Sequence, residues 1–101
     1  MLKMVIKFDD EQIKKDNYSG AREFYDIVNG MFKKRNLDVR EDGVYTDNGK
    51  EDGEEDDLFN FMVLAGVLLH TDWFVKHVEQ WLWYEESDVP SNLIQKFEIA
   101  R

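Results

Sequence analysis

Apolar and mostly polar residues alternate along the first eight positions of the chain. The apolar residues recur at every second position, at Leu2, Met4, Ile6 and Phe8. A period of two predicts a half-buried β-strand over residues 2 to 8. Gln12 follows Asp9 at the spacing of a capping box, which predicts a short helix from about residue 10 to residue 16.

The next pattern has the period of an α-helix. Between residues 19 and 35, apolar residues recur three and four positions apart, at Ala21, Phe24, Tyr25, Val28, Met31 and Phe32. This spacing predicts an amphipathic helix with Ser19 as its N-cap. The basic run 33 to 35 suits the negative end of the helix dipole, and Asn36 suits a left-handed residue after the last turn.

A hairpin is predicted over residues 37 to 46. Asp42 and Gly43 separate two short runs that contain valine and tyrosine, and Asp-Gly is typical of a two-residue type I′ turn. So short a hairpin needs support from a third strand. We therefore expect it to pair with strand 2 to 8 in a three-stranded antiparallel sheet.

The most apolar part of the chain spans residues 58 to 69, where only Asn60 and Gly66 are not apolar. A helix of this composition is expected to be covered on nearly all sides and to form the centre of the core. Apolar residues at helical spacing continue downstream and predict another helix over residues 72 to 86, or a single bent helix over residues 58 to 86. Ser91 is expected to cap a short closing helix.

These elements predict an α+β fold that is mostly helical, with a small antiparallel sheet made of the N-terminal strand and the short hairpin. A chain of 101 residues is expected to form a single domain, residues 1 to 101. It has no cysteine, which excludes disulfides and thiolate sites. The sequence shows no signal-peptide pattern and no apolar run of bilayer length, so we expect a cytoplasmic protein.

Negative charge is concentrated in one part of the sequence. Residues 38 to 57 hold ten acids and two bases, so they contribute −8 of the net charge of −9. This charge argues against binding to nucleic-acid backbones or to anionic membranes. Residues 47 to 57 contain two glycines and no apolar residue, which predicts a mobile acidic loop. Its predicted surface acids are Asp47, Glu51, Asp52, Glu54, Glu55 and Asp56.

Clustered carboxylates are compatible with a calcium site or with a mimic of nucleic acid. The EF-hand spacing fails in the registers centred on Gly43 and Gly53, and His70 and His77 lack the spacing of a metal motif, so we predict no metal site. In a nucleic-acid mimic, the carboxylates of residues 38 to 57 would imitate phosphates and inhibit a DNA- or RNA-binding protein. No phosphate loop, nucleophile elbow or cysteine is present, so we predict no cofactor, no catalytic residue and no enzyme.

Aromatic residues are plentiful in the second half of the chain. In the helix predicted over 72 to 86, Trp83 falls on the polar face, and Trp73, His77 and Tyr84 fall on one flank. Trp and Tyr are enriched at protein interfaces, whereas the structural alternative is burial of these rings in the core. We predict that these four residues bind a protein partner or a second copy of the chain.

The sequence therefore predicts a small acidic interaction domain, which could be a regulator, an inhibitor or an assembly component. Its composition also occurs among phage and mobile-element proteins. The nucleic-acid mimic is the alternative function.

Overall fold

The computed structural model of the protein describes residues 1 to 49 and 54 to 100, with the side chains of residues 54 and 55 excluded. The helices and strands within these ranges are, in chain order, β1 (Leu2–Phe8), α1 (Asp10–Lys15), α2 (Arg22–Lys34), β2 (Asp38–Glu41), β3 (Val44–Thr46), α3 (Glu54–Leu69), α4 (Asp72–His77), β4 (Val78–Glu85), β5 (Ser91–Asn92) and α5 (Leu93–Lys96).

The strands form one antiparallel sheet in the order β2-β3-β1-β4-β5. Strand β1 is central and pairs with β3 on one side and with β4 on the other. The predicted N-terminal strand and its pairing with the hairpin are confirmed, and the fold is α+β. The sheet is larger than predicted, because the described residues include β4 and β5 as well as the three expected strands.

The core lies between one face of this sheet and the helices. Every second residue of β1 points into the core and is buried, whereas Lys3, Val5 and Lys7 lie on the opposite face. We call that opposite face the open face of the sheet. Ring contacts join the helices to the inner face, at Phe32–Tyr45 (3.9 Å between centroids), Phe61–Trp83 (5.0 Å) and Phe74–Trp81 (5.0 Å).

The helix predicted over residues 72 to 86 is confirmed from Asp72 to His77 and is wrong for the residues that follow. Helix α4 ends at His77 and strand β4 begins at Val78. Along β4, Trp81 and Trp83 face the core, and the residues between and after them face away. The first half of β4 is compatible with the period of a helix and with that of a strand. Pairing with β1 at seven register positions decides in favour of the strand.

Two predicted helix ends are confirmed. The Asp9 carboxylate accepts a hydrogen bond from the Gln12 backbone N–H at 3.1 Å and caps α1. After α2, Asn36 adopts a left-handed conformation with φ 60°, and the Leu37 N–H donates to the Phe32 carbonyl at 3.1 Å. This bond closes the C-terminus of α2 in the manner of a Schellman motif.

Two predicted caps are wrong. Helix α2 begins at Arg22 and not at Ser19, and the Ala21 N–H before it donates to the carboxylate of Asp10 at 3.0 Å. A carboxylate from α1 thus holds the N-cap residue Ala21, which makes no side-chain capping bond itself. Helix α5 is capped by Asn92, and Ser91 lies in β5 instead.

Candidate functional site

The structure does not bring the four predicted partner-binding residues together. Trp83 is only 7% exposed and packs on Phe61 of α3, so the prediction that it lies on a polar helix face is wrong. Tyr84 lies on the open face, where the Lys3 ammonium is 4.3 Å from its ring centroid. Consecutive residues of a strand point to opposite faces, so Trp83 and Tyr84 cannot share a surface.

Trp73 and His77 lie on α4, next to the first turn of α2. The Trp73 ring is half-buried, with its centroid 5.0 Å from that of Phe24. His77 is 2% exposed, so it does not lie on an accessible flank of its helix. The aromatic surface predicted from the sequence is therefore divided among three separate environments.

Both ring nitrogens of His77 are committed to contacts within the fold. Nδ1 lies 2.7 Å from the Trp73 carbonyl oxygen, and Nε2 lies 2.6 Å from a carboxylate oxygen of Asp16. A carbonyl oxygen and an ionised carboxylate can only accept hydrogen bonds, so a ring nitrogen bonds to either of them as a donor. The hydrogen bond from His77 is the largest of the contacts that lower the pKa of Asp16. His77 thus joins the end of α1 to α4, and neither nitrogen is free to bind a metal or to act as a base.

Two carboxylates of the acidic segment are buried and bind backbone N–H groups. Asp47 accepts from the Leu2 N–H at 2.7 Å and from the Gly49 N–H at 3.0 Å. Asp57 accepts from the Asn48 N–H at 3.2 Å. The prediction that Asp47 is a surface acid is therefore wrong. These carboxylates satisfy backbone donors at the start of β1 and in the segment after β3.

Three of the remaining predicted surface acids lie in helix α3, and two lie outside the described residues. Glu54, Glu55 and Asp56 belong to the first turn of α3, which begins four residues earlier than predicted, and Asp56 is exposed. The predicted loop thus ends before Glu54. Glu51 and Asp52 lie outside the described residues. Within the described ranges, no three histidine or acidic side chains are grouped so that they could hold a metal ion.

Asp42 is a third acid of this segment whose carboxylate is hydrogen-bonded to other residues of the protein. Its two carboxylate oxygens accept hydrogen bonds from the Arg22 guanidinium at 2.6 and 2.8 Å, and Asn29 donates a further bond at 3.0 Å. The contact joins α2 to the β2–β3 turn. These hydrogen bonds, those of Arg22 first, lower the pKa of Asp42 from 3.8 to about 2.

This pKa shift predicts a pH-dependent contribution to stability. Because the pKa is lower in the folded state, the contact stabilises the protein fully above about pH 4 and loses its effect as the pH falls towards 2. We expect the wild type to be more stable than Asp42→Asn at pH 6, and this difference to be lost as the pH falls through about 2. Thermal unfolding at several pH values measures it, with Asp88→Asn as an exposed control. A difference that is independent of pH would contradict the prediction.

Helix α3 has an apolar face that the described residues do not cover. Phe61, Leu64 and Leu68 point into the core, whereas Phe59 is 64% exposed, Met62 45% and Val67 48%. Gly66 is exposed and Val63 is half-buried between them. We call Phe59, Met62, Val63, Gly66 and Val67 the α3 stripe. The prediction that this helix is covered on nearly all sides is wrong.

The α3 stripe follows the spacing of one helix face. Its members are three and four residues apart, and the distance from Phe59 to Val67 along the axis is about 12 Å. Exposed Asp56 lies near its N-terminal end and exposed His70 near its C-terminal end. On the flank towards α2, Lys34 and Arg35 line a shallow cleft with Asn60 and Leu64.

Sequence reasoning missed this stripe because residues 58 to 69 are apolar on all sides. Period analysis identifies a core-facing side only when the other side is polar. An all-apolar helix has no such contrast, so its solvent-facing residues cannot be separated from its buried ones. The available signal was the number of large apolar residues in the run, which exceeds what one side of a helix can bury.

Comparison with protein-family models, with curated proteins and with solved structures finds no match to the chain. No helix in the described ranges combines the length and the apolar character needed to cross a membrane. The α3 stripe is the feature of the described surface on which we base a functional assignment.

Proposed function

We propose that the protein is a non-catalytic interaction domain that binds a partner protein through the α3 stripe. The observation that carries the proposal is the exposure of Phe59, Met62 and Val67 on one face of the most apolar helix. Contiguous exposed apolar residues are typical of protein interfaces, where Met and Phe are enriched. The cytoplasm is kept as the compartment on the sequence argument alone.

The occupant that fits best is a different protein and not a second copy of the chain. Two copies would each carry a net charge of −9 and repel one another. In an antiparallel pair of α3 helices, the acidic first turn of one would lie beside the last turn of the other. That last turn contains no basic residue, so the acids would meet carbonyl groups without a cation between them.

The nucleic-acid mimic through residues 38 to 57 has less support. Imitation of phosphates requires free carboxylates at a regular spacing. Asp47 and Asp57 are buried against backbone N–H groups, and Asp42 is paired with Arg22. Three carboxylates of the segment are thus committed to the fold itself, and we favour the α3 stripe.

A site-directed cross-linking experiment tests the proposed function. A photoreactive phenylalanine analogue is placed at Phe59 and, as a control, at Ile27, which is 50% exposed on α2. We expect an adduct with a particular protein from position 59 and none from position 27. That protein should bind the purified domain when the two are mixed. Adducts from both positions alike, or an adduct with a second copy of the chain, would contradict the proposal.

Substitutions in the stripe give the quantitative prediction. We expect Phe59→Ser to weaken binding of the cross-linked partner by about 2 kcal/mol, or about 30-fold, because a few large side chains dominate the energy of an interface and Phe59 is the largest one in the stripe. Calorimetric titration measures this loss. Ile27→Ser is the matched control and should leave the affinity unchanged. Circular dichroism confirms that both variants fold, and equal effects of the two substitutions would disprove the assignment.

A further inference from the structure

We infer that the partner occupies the α3 stripe with an amphipathic helix that runs antiparallel to α3. This helix carries a large apolar side chain over Gly66 and lysine or arginine in its last turn. The inference rests on the proposed function and specifies the chemistry of the partner.

The backbone of α3 explains why the partner segment is helical. The N–H and C=O groups of α3 are bonded within the helix, so they offer nothing to an extended peptide. A strand or loop laid on the stripe would place its own backbone polar groups against apolar side chains without partners. A helix satisfies those groups internally and presents an apolar face with the same three- and four-residue spacing as the stripe.

Gly66 provides the position for a partner side chain. A Cβ atom built at Gly66 would meet nothing within 4 Å, so the surface there is open. On the helix face, Gly66 is flanked by Met62 and Val63 one turn earlier and by His70 one turn later. A glycine between larger residues on successive turns leaves room for a large apolar side chain from a facing helix.

Charge determines the direction of the partner helix. The first turn of α3 contains Glu54, Glu55 and the exposed Asp56, and residues 54 to 75 contain no lysine or arginine. Helices accommodate basic residues best in their last turn, where the dipole is negative. An antiparallel helix places that last turn beside the acidic first turn of α3 and also opposes the two dipoles.

Two synthetic peptides of equal composition test the direction. Each has about 18 residues, enough to form a helix, with a leucine face and blocked ends. One carries its lysines in the last turn and the other in the first turn. At low ionic strength we expect the first peptide to bind the full chain about tenfold more tightly, and the difference to shrink in high salt. Asp56→Lys should reduce or reverse this preference, and equal affinities would overturn the antiparallel assignment.

Gly66 variants test the contact of the partner side chain over this glycine. Gly66→Ala should raise the melting temperature, because alanine favours a helix over glycine, while it weakens binding of the peptide with C-terminal lysines about tenfold. Gly66→Leu should weaken it further. Loss of folding cannot explain weaker binding by a more stable variant. Unchanged binding by both variants would overturn the contact over Gly66.

The two proposals fail in different ways. If the cross-linked partner contacts position 59 through a strand or a loop, the helical inference is wrong and the proposed function stands. If Phe59→Ser affects neither the partner nor the peptides, the α3 stripe is not the binding surface and both proposals are wrong.

Discussion

Gly43→Ala is expected to lower the free energy of unfolding by about 3 kcal/mol or more. Gly43 has φ 84°, a conformation that L side chains rarely adopt, and a Cβ atom there would lie 2.1 Å from the carbonyl oxygen of Ile6. That oxygen belongs to the backbone of central strand β1. The Ile6 N–H also donates to the Gly43 carbonyl at 2.7 Å, so neither segment can move away without breaking this contact. Urea unfolding measures the loss.

Gly30→Ala is the matched control for this prediction. Gly30 lies within α2, and a Cβ atom there would meet nothing within 4 Å. Alanine at this position should stabilise the protein by about 0.5 to 1 kcal/mol, because glycine is a poor helix residue. The same change from glycine to alanine is thus expected to destabilise the protein at position 43 and to stabilise it at position 30. Equal unfolding midpoints for Gly43→Ala and the wild type would show that the turn tolerates a side chain.

Trp83→Ala is expected to destabilise the protein by about 3 to 5 kcal/mol. Trp83 is 7% exposed on the inner face of β4, and its ring packs 5.0 Å from that of Phe61. Removing the indole leaves a cavity between the sheet and α3, which holds the proposed binding surface. The sequence-based interpretation of Trp83 as an exposed contact predicts instead a change in partner binding with little change in stability. Thermal and urea unfolding distinguish the two.

Tyr84→Ala provides the comparison on the other face of the same strand. Tyr84 is half-buried beside Lys3 on the open face. Its loss should cost about 1 kcal/mol, through weaker strand propensity and the lost contact with the ammonium group. If Tyr84→Ala were as damaging as Trp83→Ala, the assignment of the inner and open faces would be wrong.

The β2–β3 turn shows how far a local motif can be interpreted. Asp42 and Gly43 form the hairpin turn as predicted, with Glu41 paired to Val44. The type I′ assignment is wrong, since it needs a positive φ at both residues, and within the described ranges Gly43 alone has one in this turn. The register shifts between Val39 and Glu41, so a bulge in β2 changes the geometry that the turn must match.

The acidic segment shows the limit of reasoning from composition. Its charge was evident from the sequence, whereas the roles of its members were not. Asp47 accepts a hydrogen bond from the N–H of Leu2, 45 residues away, and Asp42 is paired with Arg22. Such contacts depend on which elements become neighbours, which a count of charges cannot show.

The sequence by itself determined the elements whose pattern has one clear period. Strand β1 and helix α2 lie where alternating and helical spacing predicted them, since one buried face and one polar face leave a distinct repeat. The hairpin and the Asp9 cap could also be predicted from the sequence, because their geometry depends on residues close together in the chain.

Tertiary structure decided the rest. Residues 78 to 85 became a strand because β1 offered a free edge for pairing, and His77 was buried because Asp16 came within reach. Residues 58 to 69 of α3 are almost all apolar, and the sheet and the helices packed against them decided which of these residues face solvent. A repeat shows which side chains share a face, whereas the elements packed around that face decide whether it is covered.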